Sequence, residues 1–275
     1  MPLSLSEKKE RLEWLAGVVS DCSRIVLQYY AEDLHIDWKN GTEPVTEADR
    51  ASNTFLVENI AAQFPEEGIL AEESVEDRSQ LSIERVWMID PIDGTKEFIK
   101  HNGEFSIMVG LVEKGQPVLG VVLQPTENKL FMGAKGVTAQ MLQNDVSVKL
   151  KVSQQREIPL MKLATSRSHR EPVLDDIQAR LCITEAMEYG SVGLKCGMIA
   201  YGNFDLYIHT TQHSRLWDSC APQAILEAAG GTMTDLFGLP LNYKNENLCN
   251  AKGLLASNGT MHEKIASLIA EIFQK

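Results

Sequence analysis

The pattern of apolar residues changes character part-way along the 275-residue chain, and that change constrains the fold more than any other feature. Up to about residue 150, extended segments follow one another through tight turns. "EFSIMVGLVEKGQPVLGVVLQP" carries an apolar run on either side of Lys114–Gly115, and "KLFMGAKGVTAQML" repeats the arrangement, so both predict hairpins. Beyond "VSQQREIPL" extended and helical segments alternate. "LMKLATS", "TEAMEYG", "FDLYIH" and "GTMTDLFG" predict strands; "REPVLDDIQARL", "VGLKCGMIAYG", "DSCAPQAILEAAG" and "GTMHEKIASLIAEIFQK" predict helices. A meander followed by alternation predicts an α/β (α+β) chain. The expected division is a domain over 1–155 and a second over 156–275.

Two helices precede the meander. Leu12, Leu15, Val18, Val19, Ile25 and Val26 stand at helical spacing, which predicts an amphipathic helix from about Ser6 to Tyr30. "KNGTEPVTEAD" has turn chemistry and predicts a loop. "TEADRASNTFLVENIAAQF" predicts the second helix, with Thr46 and Asp49 at its entry. "GILAEES" and "RVWMID" then predict two strands that each run into acids.

Charge and cysteine usage narrow the function. The formal net charge of −12 argues against a duplex-binding surface, which needs basic clusters to displace counterions. It leaves room for a small anionic ligand, because a bound metal ion reverses the local field. The N-terminal segment lacks a basic region followed by an apolar one, and no apolar run reaches 18 residues, so neither a signal peptide nor a membrane span is expected. Cys22, Cys182, Cys196, Cys220 and Cys249 are odd in number and lack Cys-x-x-Cys spacing, which disfavours a disulfide framework or zinc site. A cytoplasmic chain with buried thiols is expected.

The chemistry concentrates in "VWMIDPIDGTKEF". An apolar strand ends in Asp90, and a second acid follows after Pro91 and Ile92. Asp-Pro and Asp-Gly are ordinary turn formers, with Pro91 fixing a turn after Asp90. Yet Glu72 and Glu73 after "GIL" and Asp218 after Trp217 offer further acids at element ends. Such acids, directed into one cleft, suit hard divalent cations that take oxygen ligands. The Ile92 carbonyl is a further oxygen, Gly94 allows close backbone approach, and Thr95 opens a short helix with free N–H groups. Pro222 is expected in the first turn of the next helix, which places Asp218 near its N-cap, a common structural use of Asp. Haloacid-dehalogenase enzymes separate their two strand-end acids by one residue, whereas here two intervene. There is no Walker A motif and no Gly-x-Gly-x-x-Gly.

"GILAEES", "WMIDPIDGTKEF" and "LWDSCAP…EAAGG" in this order resemble the inositol monophosphatase superfamily of Mg²⁺-dependent, lithium-sensitive phosphatases. Within it, "DGTKEFIKHNGEFS", "TSRSH" and "GSVGLKCG" are most similar to the bacterial 3'(2'),5'-bisphosphate nucleotidases, which hydrolyse 3'-phosphoadenosine 5'-phosphate (PAP). The resemblance implies a layered αβαβα sandwich. It implies two or three Mg²⁺ ions held by Glu72, Asp90, Asp93, Asp218 and the Ile92 carbonyl. Asp49 and Thr95, with Glu72, would position and deprotonate the attacking water. Gly94 and Thr95 would hold the scissile phosphate, and Ser166, His169 and Lys195 the nucleotide and its second phosphate. Arg167, His209, His213 and Arg215 are further candidate anion contacts. "YIHTTQHSRL" departs from the nucleotidase pattern. An inositol or sugar-phosphate phosphatase, including one for fructose 1,6-bisphosphate, is the alternative, and a monomer or homodimer is expected.

Overall fold

A computed structural model describes residues 1–31, 36–39, 43–144, 146–168, 171–212 and 214–273. Helix α1 (Leu5–Tyr30) starts at a capping box between Ser4 and Glu7 and buries Leu12, Leu15, Val19 and Val26 along one stripe. Strands β1 (Ile36–Lys39) and β2 (Glu43–Thr46) pair antiparallel where the turn chemistry of "KNGTEPV" predicts only a loop. Helix α2 (Glu47–Gln63) follows directly.

The meander is a seven-stranded sheet in sequence order: β3 (Gly68–Ala71), β4 (Arg85–Asp93), β5 (Ser106–Glu113), β6 (Gln116–Gln124), β7 (Lys129–Ala134), β8 (Thr138–Gln143) and β9 (Val146–Lys149). Only β3 and β4 run parallel. Helix α3 (Thr95–Ile99) lies between β4 and β5. The second sheet has the order β11 (Glu185–Tyr189), β10 (Lys162–Ser166), β12 (Leu206–His209), β14 (Leu254–Ser257), β13 (Thr232–Thr234). Helices α4 (Val173–Arg180), α5 (Val192–Ala200), α6 (Leu216–Ala228) and α7 (His262–Phe273) accompany it.

The strands alternate between faces, and this alternation sorts the side chains into three cores. Trp87, Ile89, Val109 and Val121 join α1 and α2 on one face of the large sheet. Met88, Met108 and Val122 join α5 and α6 on the other, together with Ala164, Tyr207 and Ala256 from the small sheet. Leu163, Leu206, Ile208 and Leu255 point the opposite way, against α4 and α7. The result is the αβαβα layering that the resemblance implies.

One packing device brings the two halves of the site together. Gly110, Gly120 and Gly133 pair directly across β5, β6 and β7, forming a row without side chains. Helix α6 lies in that groove on Cys220, Ala221, Ala224 and Ile225. A Cβ on Gly120 would stand 2.6 Å from the backbone of Ala221, so α6 touches the sheet itself. Its first turn, with Asp218, is thereby held close to the end of β4.

Candidate active site

The end of β4 departs from the expected turn. The strand continues through Pro91 to Asp93, and its register against β5 slips: Asp90 pairs with Met108, but Asp93 pairs with Ser106. One residue of β4 is therefore extra, which makes a β-bulge at Pro91. A proline fits there because a bulge relieves it of a ladder bond. In a regular strand residues three apart face opposite ways. The bulge reverses that phase. Ile92 keeps to the α1–α2 core, while Asp93 joins Asp90 on the side facing α5 and α6.

Both acids open onto a cavity of about 340 Å³, whose wall also includes Glu72 and Asp218. Asp90 is buried and accepts the Ile92 N–H at 3.1 Å. Asp93 is partly exposed and accepts Ser191 Oγ at 2.5 Å and Gly193 N–H at 3.0 Å, at the start of α5. Asp218 accepts Arg215 N–H at 2.9 Å. It is the third residue of α6, and Pro222 lies inside the helix, further along than the expected first turn. Burial pushes the Asp90 carboxyl well above the ordinary carboxylate range, helped by the charges of Glu72, Asp93 and Asp218 and by a hydrogen bond with Glu72. Burial and the charges of Glu72 and Asp93 do the same to Asp218. Asp93 is raised by burial, against the pull of Lys195 and Ser191.

Asp49 is not on the cavity wall. It is buried behind Thr95, whose hydroxyl lies 3.3 Å from both Asp49 Oδ1 and the Ile92 carbonyl. Its other oxygen closes the capping box of α2, accepting Thr46 N–H at 2.8 Å and Thr46 Oγ at 2.5 Å. The helix-entry role and contact with Thr95 therefore coexist. Thr95 and Gly94 do line the cavity, and Gly94 has φ of 100°, in the left-handed region that favours glycine.

The rest of the lining is largely polar. Ser166 ends β10 there. Lys195 is buried on α5, where a surface charge would be the ordinary expectation; its ammonium donates to the Tyr189 carbonyl at 3.2 Å and lies 4.9 Å from the Tyr207 ring centroid. Burial lowers its pKa, and Asp93, Glu97 and Glu104 oppose that shift. His209 lies between Tyr207 OH (3.1 Å) and Thr211 Oγ (2.7 Å), and all three face the cavity beside Arg215. Arg167 turns away into a bidentate pair with Glu104 at 2.8 and 2.9 Å. Glu73 is also off the wall. His169 and His213 lie outside the described residues.

The profile of the inositol monophosphatase family matches residues 7–274. The chain belongs to the inositol monophosphatase family. Among curated relatives, the 3'(2'),5'-bisphosphate nucleotidase CysQ of Salmonella typhimurium is 33% identical over 237 residues, 84% of this chain and 93% of the relative. That of Escherichia coli O157:H7 is 31% identical over 235 residues, with the same coverage. Among solved structures, Thermotoga maritima IMPase superposes with a TM-score of 0.81 at 26% identity, covering 96% of this chain and 98% of that one. CysQ from Bacteroides thetaiotaomicron superposes with a TM-score of 0.73 at 26% identity, covering 88% and 94%.

Inositol monophosphatase relatives are typically metal-dependent. The donor set here fits a hard divalent cation: Glu72, Asp90, Asp93 and Asp218 line one cavity together with Ile92, Glu76 and Glu97 reach it too, and no cysteine lines it. The acids resist ionising together, so positive charge among them is strongly favoured. Among the described residues no three His, Cys, Asp or Glu side chains form a group able to hold an ion by themselves. Mg²⁺ needs no such cage, because it keeps several waters and takes substrate phosphate oxygens as ligands. Trp217, beside Asp218, also has a buried indole N–H with no acceptor among the described residues.

Proposed function

We propose that this chain is a Mg²⁺-dependent phosphomonoesterase that hydrolyses PAP to AMP and phosphate. The carrying observation is the mixed lining of the cavity: Glu72, Asp90, Asp93 and Asp218 share it with Lys195, Arg215 and His209, and Glu76, Lys96 and Glu97 reach it as well. A substrate with a phosphate at the acid wall and a second anionic group elsewhere suits this lining. The bisphosphate nucleotidases among its relatives support the same reading.

In this reading Glu72, Asp90, Asp93, Asp218 and the Ile92 carbonyl hold the metal. Bound Mg²⁺ supplies Lewis acidity that makes water a better nucleophile and offsets charge on the phosphoryl group. Thr95 accepts a hydrogen bond from the attacking water while its own proton points to Asp49 Oδ1. Glu72, on the same wall, shares in orienting that water. As the water oxygen bonds to phosphorus, its proton passes to Thr95 Oγ and the Thr95 proton to Asp49. The bond to the ribose 3' oxygen breaks, and that oxygen takes a proton from solvent. Gly94 and Thr95 amides bind the transferring phosphate. Lys195 and Ser166 hold the nucleotide side, with His169 as a further contact.

A second reading, hydrolysis of an inositol or sugar phosphate, is favoured by the hydroxyl-rich row of Tyr207, His209 and Thr211, which suits a polyol. Phosphate release from PAP, inositol 1-phosphate and fructose 1,6-bisphosphate, with Mg²⁺, with EDTA and with Li⁺, separates the two. Mg²⁺-dependent, Li⁺-suppressed release greatest on PAP is expected. Preference for a polyol phosphate would transfer the substrate to the second reading, and EDTA-resistant release would remove the metal assignment.

A further inference from the structure

Between β13 and β14 the chain runs from 235 to 253 without a helix or strand. Irregular connections of this length in a compact fold usually carry a function of their own. This one passes behind the first turn of α6, and Asn250 makes the contact. It is buried, at 6% exposure. Its backbone N–H donates to the Ser214 carbonyl at 2.8 Å. Its side-chain amide lies 2.7 Å from the Arg215 carbonyl and 3.1 Å from both Ser214 Oγ and Ser219 Oγ.

These bonds fix two successive peptide planes. The plane joining Ser214 to Arg215 is held at its oxygen by Asn250 N–H, and its own N–H donates to Asp218 Oδ2 at 2.9 Å. The next plane is held at its oxygen by the Asn250 amide, and its N–H donates to the Leu248 carbonyl at 3.0 Å. The N–H that orients the Asp218 carboxylate is thus held by Asn250 twice, by its backbone N–H on the same plane and by its side-chain amide on the next, and a substitution at Asn250 removes the second hold alone. Ser219, on the other side of Asp218, is held by Asn250 and also accepts Tyr243 OH at 3.0 Å.

We propose that Asn250 is a positioning residue for the cation site: it acts through Arg215 and Ser219 to aim the Asp218 carboxylate into the cavity. This rests on the reading of Asp218 as a metal ligand. Outer groups that orient a ligand typically alter metal affinity by ten- to a hundredfold. Calorimetric titration with Mg²⁺ alone, without substrate, tests the proposal on the full chain. Asn250→Ala should weaken Mg²⁺ binding about tenfold, while kcat at saturating Mg²⁺ recovers to within about threefold of the parent. Asn250→Ser, which keeps one small donor, should fall between the two and carries the same readout if the alanine variant does not fold.

Asp235→Ala supplies the comparison. It removes the acceptor of Phe237 and Leu239 N–H in the same connection without touching α6, and should lower the unfolding temperature while leaving Mg²⁺ affinity unchanged. Folded Asn250 variants with unchanged Mg²⁺ affinity would overturn the proposal, as would an equal loss in Asp235→Ala. A parent chain that binds no Mg²⁺ removes its premise. A parent that binds Mg²⁺ but does not hydrolyse PAP leaves this proposal standing and defeats only the substrate assignment.

Discussion

The acid wall of the cavity and the rest of its lining are built by different means. On the acid wall, backbone devices place the carboxylates: a one-residue bulge turns Asp93 to the side of Asp90, and a row of glycines lets α6 carry Asp218 to the sheet. In the rest of the lining, side chains hold one another: Tyr207 and Thr211 hold His209, the Tyr207 ring lies 4.9 Å from the Lys195 ammonium, and Cys249 accepts from Arg215 at 3.2 Å. The acids themselves leave short, recognisable sequence marks, although the backbone devices that aim them do not. The cationic and polar side chains opposite them leave fainter marks, because a lysine, histidine or arginine reads as an ordinary surface group whether its partner is two residues away, as for His209, or 34, as for Arg215.

The comparison can be broken at several points. Asp90→Asn removes charge from the most buried part of the acid wall, and turnover should fall to background with the fold intact. Thr95→Ala should lower kcat about a hundredfold, the scale of a lost proton-transfer partner. Mg²⁺ affinity measured by calorimetry should stay unchanged, which would separate the proposed water-handling pair from the proposed ligands. Lys195→Met acts on the rest of the lining. It should raise KM for PAP about tenfold, the loss of one charge-assisted contact, with a smaller effect on a substrate bearing a single phosphate. Gly120→Ala inserts a methyl at 2.6 Å from the Ala221 backbone and should cost about 1–3 kcal/mol in denaturant unfolding. The smallest effect is on pH. Asp90 and Asp218 have raised pKa values in the folded chain, so without metal their contribution is most favourable at low pH. Stability should decline as pH rises above their ordinary value of 3.8 and through the raised folded values. Thermal unfolding in EDTA across pH 4–8 measures this.

Much of this architecture is legible in the residues. The hairpin that turns at Lys114–Gly115, the one that follows it, the strand–helix alternation and both long N-terminal helices follow from periodicity and turn residues. Strand β14 leaves a weaker mark, being four residues long after an irregular connection, although it is central to its sheet. The β1–β2 pair is masked by turn-forming residues, and β9 by its brevity. At the site, Asp90, Asp93 and Asp218 stand out because an acid after an apolar run is unusual. The bulge does not, since "DPID" has the composition of a turn. Glycines at 110, 120 and 133 look unrelated until strand register aligns them. The buried state of Lys195, the capture of Arg167 by Glu104 and the place of Asn250 depend on contacts between remote segments, which local patterns do not encode.

The central claim is that the cavity acids are kept together for a divalent cation. Thermal unfolding of the parent chain and of Asp90→Asn at pH 8, each with EDTA and with saturating Mg²⁺, tests it most directly. In EDTA the variant should be at least as stable as the parent, because one charge resisted by burial has gone. With Mg²⁺ the parent should gain several degrees and the variant little. Equal gains in both proteins, or none in the parent, would contradict the account.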